Sequence, residues 1–327
     1  MKVGYFGLPL GAHLLSMDGH ELDPCVLSPL AAPGRRRIRA RLRGPQLIDA
    51  RGRPASASTP EIEQALRRAQ PELIVSWFWT RLLPGAWLAA TRWGGIGVHP
   101  SLLPRHRGPN PYFWTIDAGD FEAGVTLHAL APEYDTGAIL LQRSIPVGER
   151  SSWQLARALD RPALALLREG VRRFAMGIPP TPVEQREAEA SWAPEPTGRE
   201  LLVDWTWPTA RVLRRIRALA PVPGLAVEIC ELRFFVTRAR AAKQFVAALQ
   251  PGEAAVLSEA ATLVIRTADG AVAIERALLG AGEPEAEDDG PQLELDEKSL
   301  AAAVAARLRV GPAEDPSSHS RSRSRSR

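Results

Sequence analysis

Three short apolar runs, KVGYFG (2–7), LIVSWF (73–78) and GIGVH (95–99), alternate with stretches of helical character, and this alternation constrains the chain more than any other feature. Each run is about one strand long and lacks the every-second-residue polar spacing of a half-solvated sheet, so both faces must be covered. Strands buried on both faces and joined by helices form a mostly parallel sheet with crossovers. A Rossmann-like α/β domain is therefore expected at the start of the chain. Its first strand leads into a glycine turn, but GxGxxG spacing is absent and no dinucleotide cofactor is expected.

Helices fill the intervals. Ser58 and Thr59 offer caps and Pro60 a first-turn residue for EIEQALRRAQ, whose Ile62 and Leu66 form one stripe. Asn110 precedes a helix over 111–118, and strands follow at about 124–130 and 138–144. Ser151 or Ser152 caps a helix over 151–176 that carries Leu155, Leu159, Leu166 and Val171.

At 327 residues two cores are expected. Residues 1–176 make the first domain, and the proline- and acid-rich stretch 177–197 reads as a linker draped over the surface. Residues 198–310 open with a basic helix at 209–219. AVEIC, LRFFVTRAR, EAAVLSE, TLVIRT and AVAIERALL then give the short strands of a small OB-like β-barrel. Residues 311–327, ending SRSRSRSR, are nearly devoid of apolar side chains and read as a disordered tail that is either a solvated end or a nucleic-acid contact.

Arg321, Arg323, Arg325 and Arg327 account for the whole net charge of +4, so the folded body is near neutral. The segment 35–53 is nevertheless crowded with Arg35, Arg36, Arg37, Arg39, Arg41, Arg43, Arg51 and Arg53 against the single acid Asp49. Two readings stand: a surface for a phosphate-rich partner, or an arginine-heavy genome. Cys25 and Cys230 have no metal-ligand spacing and read as reduced core residues of a cytoplasmic protein. No apolar stretch is long enough to span a bilayer, and no signal peptide is expected from MKVGYFGLPLGAHLL.

The chemistry concentrates in GGIGVHPSLLPRHRGPNPYFW and GDFEAGVTLHALAPEYDTGAILLQ. His99 stands at the C-terminal end of a buried strand, where open α/β sheets bind ligands. Asp135 lies in a glycine-bounded loop that can converge on the same cleft. An imidazole facing a carboxylate suits acyl transfer to nitrogen, in which the amine loses a proton and an oxyanion develops. By themselves, a hydrogen-bonding histidine and a turn-forming aspartate explain the same residues. His106 and His128 read as ordinary loop and strand histidines, and Trp77, Trp79 and Trp87 as core or pocket wall. Arg105 and Arg107 are either surface charges or ligands for a phosphate or a folate glutamate tail.

HPSLLPRHRG, W-x-I-x-x-G-D, GVT-x-H and DTGAIL, in that order, resemble the formyltransferase family that uses 10-formyltetrahydrofolate. KVGYFGLP and LIVSWFWTRLLP are similar to its first strand and folate-pocket wall. WAPEPTGRELLVDWTWPTARVLRRIRALAPVPG and LVIRTADGAVAIERALL are similar to the C-terminal barrel of its methionyl-tRNA members.

The resemblance implies His99 and Asp135 as catalytic residues, and Leu82, Leu83, Pro84, Ser101 and Asp135 around the folate. It implies 10-formyltetrahydrofolate as cosubstrate, no metal, a primary-amine acceptor, and a cytoplasmic monomer without membrane attachment. A basic loop of the tRNA enzymes falls near 35–53, which makes Arg35, Arg36 and Arg37 candidate tRNA contacts. Amino sugars and amino acids of specialised metabolism are alternative acceptors. Gly97 stands where the family's Asn-x-His motif has asparagine, whose amide is thought to hold the formyl oxygen. Losing one such donor costs ~10²- to 10³-fold in rate. A water in the vacated space, Asn110 from the next loop, or a folate-binding protein without turnover are the three outcomes this substitution allows.

Overall fold

A computed structural model describes residues 1–32, 34–42, 47–49, 60–257, 259, 261–279 and 293–309. The expected Ser58/Thr59 cap, Arg43, Arg51, Arg53 and the Ser-Arg tail lie outside the described residues. The chain divides into two compact units, Met1–Thr197 and Gly198–Arg327.

The first unit runs β1 (Lys2–Gly7), α1 (Pro9–Met17), β2 (Glu21–Leu27), α2 (Arg35–Arg39), β3 (Leu47–Asp49), α3 (Pro60–Ala69), β4 (Leu73–Trp77), α4 (Gly85–Ala89) and β5 (Gly95–His99). It continues through α5 (Pro111–Ala118), β6 (Glu122–Ala129), β7 (Ile139–Pro146) and α6 (Ser152–Ala175). The sheet order is β3-β2-β1-β4-β5-β6-β7. The strands from β3 to β5 are parallel, while β6 and β7 each run antiparallel to the strand before them in that order.

The apolar runs are buried as their composition requires. Phe6, Val26, Ile48 and Ile74 from the sheet meet Ile62 and Leu66 of α3 in one core, and each such side chain contributes roughly 1.5–3 kcal/mol on burial. Leu155, Leu159, Leu166 and Val171 are all buried on α6. That helix begins with a capping box in which Ser151 accepts from the Gln154 amide while the Gln154 side chain accepts from the Ser151 N–H. Asn110 caps α5 by accepting from the Phe113 amide at 3.2 Å.

The second unit has α7 (Thr209–Leu219), β8 (Leu225–Ile229), β9 (Leu232–Ala241), β10 (Ala254–Leu257), β11 (Thr262–Arg266), β12 (Ala271–Leu279), β13 (Leu293–Asp296) and α8 (Glu297–Arg309). Its sheet is antiparallel in the order β10-β11-β12-β9-β8, and β13 pairs with β12. Strand β13 and helix α8 were not in the strand pattern. The helix is alanine-rich, which gives it good propensity but little periodic contrast, although Leu300 and Val304 are fully buried. Cys230 and Glu231, both at positive φ (49° and 61°), form the turn between β8 and β9. Cys230 is thus exposed in a hairpin and is no core residue, whereas Cys25 is buried and burial pushes its thiol up to about 12.

Candidate active site

Strand β5 ends with His99, 6% exposed, and the chain then folds back on itself. Ser101 Oγ donates to the Arg105 carbonyl at 2.6 Å, and Thr126 Oγ1 on β6 donates to the Ser101 carbonyl at 2.7 Å. His106 Nε2 and Arg105 both bond Asp120 at 2.7 Å, and the His106 carbonyl accepts from His99 Nε2 at 2.7 Å. A carbonyl can only accept, so the proton of a neutral His99 ring sits on Nε2 and Nδ1 is bare. That Nδ1 faces Asp135 Oδ2 at 3.4 Å. This is longer than an ordinary hydrogen bond, as befits a bare ring nitrogen facing a carboxylate with no proton between them.

Asp135 follows β6 in a loop where its φ is +59°, a left-handed conformation that aspartate tolerates but does not favour. Hydrogen bonds hold it there. The Gly108 amide donates to Oδ2 at 2.9 Å, and Gln185 Nε2 donates to the carbonyls of Asp135 (2.8 Å) and Gly137 (2.7 Å). Gly137 has no alternative, because a Cβ there would lie 1.9 Å from the Ala129 carbonyl oxygen. Glycine at position 137 is therefore a steric requirement of the loop that aims Asp135.

A third ionisable group joins them. His128 on β6, 4% exposed, donates from Nδ1 to the Ala129 carbonyl at 2.8 Å and points Nε2 toward Asp135 Oδ1 at 3.7 Å. Burial pushes its pKa down, neighbouring Asp135 opposes that, and His99 adds to it, so the ring is held toward neutrality. The Asp135 carboxylate thus lies between two imidazoles.

These groups open into a cavity of about 460 Å³. Trp77, Trp79, Leu82 and Leu83 form one apolar wall after β4, and Gly97, His99 and His128 form the floor. The buried indole N–H of Trp79 has no hydrogen-bond partner among the described residues. Tyr112 and Asp160 lie on the far side, where burial pushes the pKa of both upward.

The structure brings together His99, Asp135, Gly97, Leu82 and Leu83, but other expected residues stand elsewhere. Pro84 is the N-cap of α4 and Ser101, 1% exposed, is turned into its own loop; neither lines the cavity. Arg105 is engaged by Asp120, and Arg107, 7% exposed, bonds Gln185 and Glu187, so neither is a free anion ligand. Asn110 is occupied as a helix cap and donates to Glu195 at 2.9 Å, which removes it as a formyl-oxygen donor. Arg35 is buried and donates to the Ser28 and Leu30 carbonyls, while Arg36 and Arg37, like Arg39, are exposed on α2.

The stretch 177–197 does more than connect. Val183 pairs with Ile139, Trp192 with Arg107, and Ser191 Oγ accepts from the His106 amide, so this belt braces both loops that carry the site. Gln185, Ser191 and Trp192 escaped the sequence reading, and His128, read as an ordinary strand histidine, stands in the site. Only His128 had a local signal, its place in GVT-x-H seven residues before Asp135.

The site is that of an α/β protein with a mostly parallel sheet, in which His99 at the end of β5 faces Asp135 from the loop after β6 at an apolar cavity, an arrangement suited to proton handling in acyl transfer. Residues 28–164 match the family described as "Formyl transferase", and residues 197–287 match "Formyl transferase, C-terminal domain". Methionyl-tRNA formyltransferase of Thiobacillus denitrificans is 31% identical over 283 residues, spanning 84% of this chain and 90% of that protein. The chain belongs to the formyltransferase family.

Solved structures share the fold. HypX from Aquifex aeolicus, in complex with tetrahydrofolic acid, superposes with a TM-score of 0.61 at 22% identity, covering 94% of this chain and 48% of HypX. The N-formyltransferase from Helicobacter canadensis, with folinic acid and dTDP-3-aminofucose, gives 0.62 at 14%, covering 84% of this chain and 98% of that one. No helix among the described residues is long and apolar enough to cross a membrane.

Proposed function

We propose that this chain transfers the formyl group of 10-formyltetrahydrofolate to the amine of methionyl-tRNA in the cytoplasm. The observation that carries the reading is the His99–Asp135 contact at the floor of the cavity, on a chain similar over 84% of its length to a methionyl-tRNA formyltransferase. The cavity suits a folate. Its apolar tryptophan and leucine wall can cover a flat ring, and the unpartnered Trp79 N–H can donate to one. A bound formylfolate supplies the electrophilic formyl carbon.

The protein must then move one proton from the attacking amine to the departing nitrogen and steady the oxygen that becomes negative. His99 Nδ1 and Asp135 are placed to hold that proton, because a ring nitrogen 3.4 Å from a carboxylate is attracted to it only with a proton between them. Arg36 and Arg37 offer the exposed positive charge a tRNA backbone requires.

The test is to incubate the protein with 10-formyltetrahydrofolate and methionyl-tRNA and to look for N-formylmethionine by mass spectrometry. Formylation of an amino sugar or free amino acid in its place would move the acceptor. Absence of product with every amine, together with tight folate binding, would leave the second reading that Gly97 motivates, a folate-binding protein without turnover.

A further inference from the structure

Gly97 has no side chain to serve as an oxyanion donor, and another polar atom borders its place. A Cβ on residue 97 would lie 3.3 Å from His128 Nε2 and 3.0 Å from Leu130 Cδ2. The space where an asparagine side chain would begin is therefore bordered by an imidazole nitrogen and a leucine methyl, and both line the cavity.

That nitrogen is a base in its resting form. Because His128 Nδ1 must donate to the Ala129 carbonyl at 2.8 Å, the neutral ring has its lone pair on Nε2. The charged groups that face it are His99 at the end of β5 and Asp135 in the loop after β6. Burial keeps the ring neutral until a proton arrives, and Asp135 Oδ1 at 3.7 Å stabilises it once charged.

We propose that His128 is a further catalytic residue: its Nε2 takes the proton of the attacking amine, and the Nε2–H so formed holds the formyl oxygen in the space left by Gly97. This rests on the formyl-transfer reading above. As the new N–C bond forms, the amine proton passes to Nε2 and the carbonyl π electrons move onto oxygen, which accepts from the new N–H. When those electrons return, the bond from the formyl carbon to the folate nitrogen breaks, and that nitrogen takes the proton that the reactive form of the pair carries between His99 Nδ1 and Asp135 Oδ2. The proton on His128 then replenishes the pair through Asp135. One proton has moved from amine to folate nitrogen and none is gained or lost.

The tests use the full chain. First, two-bond ¹H–¹⁵N spectra of protein labelled at histidine nitrogens should show His128 as the neutral Nδ1–H tautomer, with Nε2 taking a proton only on acidification. A resting Nε2–H tautomer would overturn the proposal without touching the function reading. Second, His128→Asn and His128→Gln keep an amide donor but cannot take a proton. Each should lose ~10²-fold or more in kcat and lose the acid limb of the kcat/KM profile, while binding of tetrahydrofolate stays within a few-fold of wild type. Retained turnover with an unmoved pH profile in either variant would overturn the proposal while leaving formyl transfer intact. A wild-type protein that formylates no amine would overturn both.

Discussion

Gln185 donates its side-chain amide to the backbone carbonyl of Asp135 at 2.8 Å, across 50 residues of sequence. It reaches the Gly137 carbonyl as well, and so fixes both ends of the turn in which Asp135 has its positive φ. Such a backbone conformation costs of order 1–3 kcal/mol and persists only where its surroundings enforce it. Gln185→Ala should therefore lower kcat about ten-fold or more by letting Asp135 drift, with a stability loss of only about 1–2 kcal/mol. Steady-state kinetics beside urea unfolding midpoints separate the two effects.

Restoring an asparagine at position 97 should not restore a stronger enzyme. The first atom of any side chain there already presses on Leu130 and His128. Gly97→Ala is expected to leave the unfolding midpoint nearly unchanged, because the Leu130 methyl can turn aside into the cavity, and Gly97→Asn to reduce turnover by crowding His128 Nε2. A Gly97→Asn variant with turnover well above wild type would contradict this geometry.

Asp120 ties down the loop that returns to His99. Burial pushes its carboxyl up, but the bonds from His106 and Arg105 outweigh that and leave it below its ordinary value. A carboxyl depressed in the folded state contributes stability above its unfolded pKa, and loses it as pH falls through the folded one. Asp120→Asn should therefore cost about 1–2 kcal/mol near neutral pH, and the gap to wild type should close in acid. Thermal unfolding across pH 7 to 3 checks the sign.

The arginines of α2 divide by direction. Arg35→Ala should destabilise the fold, since the buried guanidinium satisfies the buried Ser28 carbonyl and also holds that of Leu30. Arg36→Glu with Arg37→Glu should leave the unfolding midpoint alone, weaken methionyl-tRNA binding and flatten its salt dependence by about one unit of slope for each phosphate no longer neutralised. Titrations at several salt concentrations give that slope.

Much of this architecture was legible because periodicity encodes it. The runs at 73–77 and 95–99 have the composition of doubly covered strands, and the stripe of Leu155, Leu159, Leu166 and Val171 marks the face of α6. His99 and Asp135 could be found through the ordered motifs around them. What stayed hidden depends on partners distant in sequence. Nothing near Gln185 says that it will reach Asp135, nothing in a row of arginines says that Arg35 alone turns inward, and Ser101 reads as a ligand until Arg105 accepts its hydroxyl. His128 was visible but ambiguous, because a histidine within a strand acquires meaning only beside the gap at Gly97.

The most direct test of the account is the turnover of Asp135→Asn, measured as formylmethionyl-tRNA formed from 10-formyltetrahydrofolate, with folate binding followed in parallel by tryptophan fluorescence. Asparagine keeps the shape but cannot stabilise a charged His99 or His128, so formation should fall ~10²- to 10⁴-fold while folate affinity stays within a few-fold. Turnover equal to wild type would show that the carboxylate between the two imidazoles is not where the proton is handled.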